Sequence, residues 1–211
     1  MNQVLKLKKL ANLGFFDKNT LAQFMELSEN SLYANIKRWL QSGLILPLKK
    51  GLYVTADYVT SQKNSRSYTE FIANKLREPS YLSMDYVLQT YNILSESVYG
   101  FTSVTLKSKR IYRNKFGIFI YRNIREELFN GYEIKQVDDF KIRVGTKAKA
   151  LFDYFYYKLF RIRDINAELI ETFRLNYDSL TTAELNEFSR YCKTSKTEKM
   201  LKLPGIIRKI S

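Results

Sequence analysis

Between Thr20 and Val54 two short helical patterns and a hairpin pattern follow one another, leaving only a few residues for each connection. In Thr20–Leu27, Leu21, Phe24, Met25 and Leu27 share one face at helical spacing, which predicts a helix packed on a core. Ser28, Glu29 and Asn30 interrupt that rhythm with capping and turning residues, and a second helix is expected from about Ser31. Leu32, Ile36, Trp39 and Leu40 fall on its inner side, and Gly43 closes it, because glycine tolerates the positive φ of a helix terminus. Leu44-Ile45-Leu46-Pro47 and Leu52-Tyr53-Val54 then read as two short strands joined by Leu48-Lys49-Lys50-Gly51.

The outer side of the second helix collects Asn30, Ala34, Lys37, Arg38 and Gln41, with Ser31 and Tyr33 on its flanks and Ser28 just ahead of it. No carboxylate falls on that side. Arg and Lys suit phosphate and guanine, Asn and Gln suit adenine, and a small Ala permits close approach to a groove floor. Lys49 and Lys50 would point the hairpin tip at phosphates. An amphipathic helix with a polar outer face is by itself only a solvated helix. The conjunction of a short turn, an acid-free face, a basic hairpin and a basic chain is what reads as a winged helix-turn-helix that binds double-stranded DNA.

The chain has 211 residues and a formal charge of +14. Eight basic residues face four acidic ones in residues 1–60, and 27 face 17 beyond, so the excess is +4 and then +10. Such a balance favours polyanionic partners. Residues 1–13 lack an uninterrupted apolar core and a small-residue cleavage site, so neither a signal peptide nor a membrane span is expected, and a cytoplasmic location is. Cys192 is the single cysteine, which excludes an internal disulfide. With no histidine, Ser-His-Asp triads and Cys/His zinc sites are excluded, and no glycine-rich phosphate loop occurs. The reading therefore assigns no cofactor, no metal and no catalytic residue.

The expected fold class is α+β, with a DNA-binding domain over residues 1–60, a linker and connecting helix over 61–78, and an α+β effector domain over 79–211. Val4, Leu5, Lys8, Leu10 and Leu13 predict a first helix ended by Asn12 and Gly14. Ser61–Ser67 is a polar run suited to an exposed link. Tyr68–Leu76 reads as helix, and Pro79–Leu82 as an extended lead into a helix capped by Ser83, with Asp85 compensating its dipole. Val98–Leu106, Phe116–Tyr121, Tyr132–Val137 and Phe140–Val144 predict antiparallel strands, with Asp138-Asp139 as a turn. Ala148, Leu151, Phe152, Phe155 and Leu159 predict a central helix capped by Thr146. Capping boxes at Thr181–Glu184 and Ser195–Glu198 predict two more, the last stopped by Pro204-Gly205.

Three further groups bear on chemistry. Lys107, Lys109, Arg110, Arg113 and Lys115 crowd one segment without an acid, which makes either a phosphate-binding patch or a basic hairpin that discourages edge pairing. Glu133-Ile134-Lys135 spells the E-x-K of metal-dependent nucleases, which would need another carboxylate on a neighbouring strand; alternating charge on a half-exposed strand explains the same letters. Phe152, Tyr154, Phe155, Tyr156, Tyr157 and Phe160 could stack bases, although helical placement favours a core with tyrosines at its rim. No convergent polar pocket for a small ligand of a ligand-responsive regulator is legible.

Over nearly its whole length the chain resembles the AbiEi family of antitoxins from bacterial type IV toxin-antitoxin and phage-abortive systems. The resemblance is carried by the basic N-terminal pattern ending in Gly51-Leu52-Tyr53-Val54, by Pro79-Ser80-Tyr81-Leu82-Ser83 before a short helix, and by Lys149-Ala150-Leu151-Phe152-Asp153 opening a helix after a strand. Where the family commonly has an acid before the last element, this chain has Ala148. The resemblance implies a transcriptional autorepressor, with paired copies on inverted repeats of its own promoter. It also implies a second domain that counters a nucleotidyltransferase toxin, a functional partner bound in no stable complex.

Overall fold

A computed structural model describes residues 3–62 and 65–210. The chain divides into two compact units, Met1–Ile72 with Asn114–Phe116, and Ala73–Arg113 with Gly117–Ser211. In the first unit α1 (Gln3–Lys8) runs into a 3-10 turn at Lys9–Asn12, followed by β1 (Phe16–Asp17), α2 (Lys18–Met25), α3 (Glu29–Gln41), β2 (Ile45–Lys49), β3 (Leu52–Thr55) and α4 (Ala56–Ser61). Leu7, Leu10, Phe16, Leu21, Met25, Leu32, Ile36, Trp39 and Ile45 form its core.

Several expectations for this unit change in detail. Lys8 and Leu13 are exposed, and Leu7 and Leu10 carry the first helix into the core; the side chains of Val4 and Leu5 lie outside the described ones. Phe24 is exposed, and Leu21 and Met25, four residues apart on one side of α2, carry that helix onto the core. Its cap is Asp17, whose carboxylate accepts from Thr20 N at 2.7 Å. β1 has no counterpart in the sequence reading; it pairs antiparallel with β3, giving a three-stranded sheet of order β1-β3-β2. Of the polar run Ser61–Ser67, Ser61 ends α4, Lys63 and Asn64 lie outside the described residues, and Ser65–Ser67 open α5 (Ser65–Leu76).

The second unit contains β4 (Ser80–Leu82), α6 (Met84–Thr90), β5 (Phe101–Thr105), β6 (Arg110–Asn114), β7 (Gly117–Asn123), β8 (Tyr132–Val137), β9 (Phe140–Gly145), α7 (Lys147–Lys158), α8 (Ala167–Glu171), α9 (Thr182–Thr194) and α10 (Glu198–Ile210). The chain is thus α+β, but the six-stranded sheet, of order β6-β7-β5-β4-β9-β8, is mixed rather than antiparallel: β5 runs parallel to β7, and β4 parallel to β9. For β5 and β7 the reason is β6, which the spacing predicts as a connection: it follows β5 in sequence and lies beside β7 at the sheet edge, so the chain reverses direction twice before β7 pairs with β5. At α10, Pro204 removes one backbone donor without stopping the helix, because Met200, Leu203 and Ile207 on its inner face are all buried. The Thr181–Glu184 capping box forms. At Ser195–Glu198 it does not: Ser195 is buried and donates its hydroxyl to Cys192 O at 2.7 Å.

α7 is buried on every side from Ala148 to Phe155, and that run includes two charges. Lys149 and Asp153, both fully buried, meet at 2.7 Å across one helical turn. The second carboxylate oxygen accepts from Ser83 Oγ at 2.7 Å and from the Tyr81 hydroxyl at 2.9 Å. The Lys149 ammonium lies over the rings of Phe152, Tyr191 and Tyr81 at 4.5, 5.2 and 5.9 Å. Burial pushes the Asp153 carboxyl above its ordinary range, an effect that attraction to Lys149 and the three donors oppose. Ser83 precedes α6 as expected, but with its hydroxyl spent on Asp153 it does not cap that helix. Thr102 Oγ1 serves instead, accepting from Tyr86 N at 3.0 Å.

Asp153→Leu leaves an unpaired buried ammonium and is expected to cost about 3–5 kcal/mol. Adding Lys149→Met removes that ammonium, so the double variant should unfold at higher urea than Asp153→Leu alone; a loss equal to the sum of the single losses would contradict this account. Gly131 (φ +72°) lies against the same network, and a Cβ there would stand 2.2 Å from the Tyr191 hydroxyl. Gly131→Ala should therefore cost about 1–3 kcal/mol in the same urea titration.

Candidate nucleic-acid interface

α3 begins two residues earlier than the spacing predicts, at Glu29, with Ser28 as its cap. Ser28 Oγ accepts from Ser31 N at 3.5 Å and donates to Ser31 Oγ at 3.0 Å, so both serines are tied to the helix start while remaining exposed. Three residues, Glu26 to Ser28, connect α2 to α3, and Glu26 turns the chain with φ +53°. Leu32, Ile36 and Trp39 anchor the inner face. At the far end Gly43 adopts φ +71° and Leu44 N returns to Trp39 O at 2.9 Å, which closes the helix as expected.

Asn30, Tyr33, Ala34, Lys37, Arg38 and Gln41 are all exposed. Among the described residues, Lys37 and Arg38 take part in no ion pair. Lys50 is exposed in the turn between β2 and β3, beside Gly51 at φ +79°. Lys49 is half-buried at the end of β2, and Leu48, expected in the loop, is buried where the register shifts between Pro47 and Lys49. The tip is therefore Lys50-Gly51, shorter than the four-residue loop expected, because the bulge turns Leu48 into the core.

Lys18 was not singled out from the sequence, yet it joins the two parts of this surface. Its backbone N donates to Gly51 O at 3.2 Å in the hairpin turn. Its Nζ donates to Glu29 at 2.7 Å and to the Tyr33 hydroxyl at 2.7 Å, and sits 3.9 Å from the centre of the Tyr33 ring. The hydrogen bond to Glu29 raises the Lys18 ammonium and lowers the Glu29 carboxyl, so the one acid in the first turn of α3 is neutralised locally. The signal available in the sequence was the D-x-x-T capping spacing of Asp17 and Thr20, which places Lys18 at the start of α2.

In the second unit Lys107, Lys109, Arg110 and Arg113 are exposed along edge strand β6 and the segment before it. Lys115, also exposed, lies in the Asn114–Phe116 segment counted with the first unit, where Asn114 Nδ2 donates to Leu48 O at 2.8 Å. Glu133 is exposed on β8, while Lys135 donates to the Tyr91 hydroxyl at 2.6 Å. No group of three or more metal-binding side chains occurs among the described residues. Of the aromatic run, Phe152, Tyr154 and Phe155 are buried, Tyr156 and Tyr157 half-buried and Phe160 exposed. No helix among the described residues is long and apolar enough to cross a membrane. Protein-family models and curated proteins give no match to the chain.

The separation of the two faces of α3 has a direct test. Lys37→Glu/Arg38→Glu should leave thermal stability within about 0.5 kcal/mol of the parent, whereas Trp39→Ala should cost about 3–5 kcal/mol. A large loss from the charge reversals would mean that the outer face contributes to packing.

Proposed function

We propose that the first unit is a winged helix-turn-helix and that the protein is a DNA-binding repressor, with α3 as the reading helix and Lys50-Gly51 as the tip of the wing. One observation carries this reading: the exposed face from Asn30 to Gln41 offers two cations, two amides and a small alanine, with no acid, on a helix whose other face is held by Leu32, Ile36 and Trp39. Arg38 and Gln41 suit base edges, and Lys37 and Lys50 suit phosphates. Exposed Ser28, Ser31 and Asn30 stand at the helix N-terminus, the end that faces a groove in this class of domain. A single reading helix covers few base pairs, so paired copies on an inverted repeat would multiply specificity.

The resemblance to the AbiEi antitoxins extends the proposal. On that reading the repressor acts on its own promoter, is not an enzyme, and counters a nucleotidyltransferase toxin without forming a stable complex with it. Two of the three motifs that carry the resemblance, Pro79–Ser83 and Lys149–Asp153, meet in the buried network around Asp153.

Fluorescence anisotropy with promoter DNA gives the primary test. The association constant should fall with salt by about 0.9 log unit per neutralised phosphate for each tenfold rise in concentration. Arg38→Ala should relax preference at one base position by about 1–3 kcal/mol, and Lys50→Ala should weaken all sequences alike and reduce the salt slope by about 1. Salt-insensitive or undetectable binding rejects the repressor reading. A nucleotidyltransferase reading frame should lie directly beside this one and co-expression of the two should restore growth; the lack of such a frame, or continued growth arrest, rejects the antitoxin reading.

A further inference from the structure

The second unit contains a cleft of about 1410 Å³ that the sequence reading did not foresee. Ile118, Ile120 and Arg122 of β7 line it, while Phe119 and Tyr121, on the opposite face by strand alternation, are buried. The end of α7 and the residues after it supply another wall through Tyr156, Tyr157, Lys158, Phe160 and Arg161, and the segment before β5 supplies Tyr99. Every lining residue belongs to the second unit, so the inference goes beyond duplex reading by α3 and does not rest on it.

Charge and aromatic character coincide in this cleft. Its cations are Lys109, Arg113, Arg122, Arg125, Lys158 and Arg161, against Asp85 and Glu96. Lys158 stands 3.7 Å from Asp85, and Arg125 pairs with Glu127 at 3.1 Å. Lys109, Arg113, Arg122 and Arg161 are exposed and form no ion pair among the described residues. Tyr99 and Phe160, 88% and 75% exposed, are the two most exposed large hydrophobic residues described, and both line the same cleft. The volume exceeds the roughly 300–1,000 Å³ of small-molecule pockets.

We propose that this cleft binds a single-stranded polynucleotide, its phosphates tracked by Lys109, Arg113, Arg122 and Arg161 and its bases stacked on Tyr99 and Phe160. A cationic groove with exposed planar side chains is how unpaired strands are held without sequence preference. A duplex hides the faces of its bases, so Tyr99 and Phe160 would have nothing to stack on. Guanidinium groups add contacts to phosphates and to base planes.

The test uses full-length protein carrying Lys37→Glu/Arg38→Glu, which silences α3, and labelled oligouridylate and oligothymidylate of about 12 nucleotides. At least one should bind, the stronger naming the preferred sugar, and a blunt duplex of the same length should bind at least about tenfold more weakly. Adding Tyr99→Ala/Phe160→Ala should weaken the single strand by about tenfold or more, with an unchanged thermal midpoint because both rings are exposed. Arg122→Glu/Arg161→Glu should do the same through charge alone. Failure of both oligonucleotides to bind, equal binding of the duplex, or parent-like affinity in either added pair of substitutions would overturn the proposal. Promoter binding by the parent protein is a separate readout, so loss of one activity does not imply loss of the other.

Discussion

A lysine ammonium and an aspartate carboxylate, both withdrawn from water on α7, organise the second unit. Removing two such ions from water costs several kcal/mol each, and their attraction offsets this only when the remaining hydrogen-bonding capacity is also met. Asp153 meets it through Tyr81 on β4 and Ser83 at the start of α6, while Lys149 lies under the rings of Phe152 and Tyr191. The network thereby fixes β4, α6, α7 and α9 against one another. Gly131 is drawn into the same arrangement, since no side chain fits between its backbone and Tyr191.

What α7 presents at its far end follows from that anchorage. Its continuous buried run reaches Phe155; beyond it Leu159 alone turns back into the core, while Tyr156, Tyr157, Lys158 and Phe160 are half-buried or exposed and border the cleft. The helix thus passes from a core element to a surface wall within two turns. In the first unit a smaller bridge plays a comparable part: Lys18 holds the hairpin turn through its backbone and the first turn of α3 through its ammonium. The acid-free face of α3 keeps its charge because Glu29 is matched by that lysine.

Elements with a strong local signal were legible from spacing. α3, the strand Tyr132–Val137, α7 with its Thr146 cap and the Thr181–Glu184 capping box follow from periodicity and capping within a few residues, forces that act over one or two turns. Misread elements depended on remote partners. The two-residue β1 is a strand only because β3 lies beside it, and β6 reads as a basic loop until β7 pairs with it. Pro204 signals a helix stop, yet burial of Leu203 and Ile207 outweighs one lost backbone hydrogen bond. The second capping box failed because Ser195 was drawn into the core.

The sequence by itself determined which residues lie on each face of α3, the surplus of positive charge, and the absence of histidine chemistry, because these depend on composition and on a fixed angle per residue. Only the tertiary structure decided that Lys149 and Asp153 are buried together, that the sheet is mixed, that Lys18 joins the hairpin to α3, and that Tyr99, Arg122 and Arg161 share a cleft. Each of these brings together residues far apart in the chain, or sets the surroundings of a pair by distant elements, and nothing in local spacing encodes which distant neighbour excludes water from a side chain.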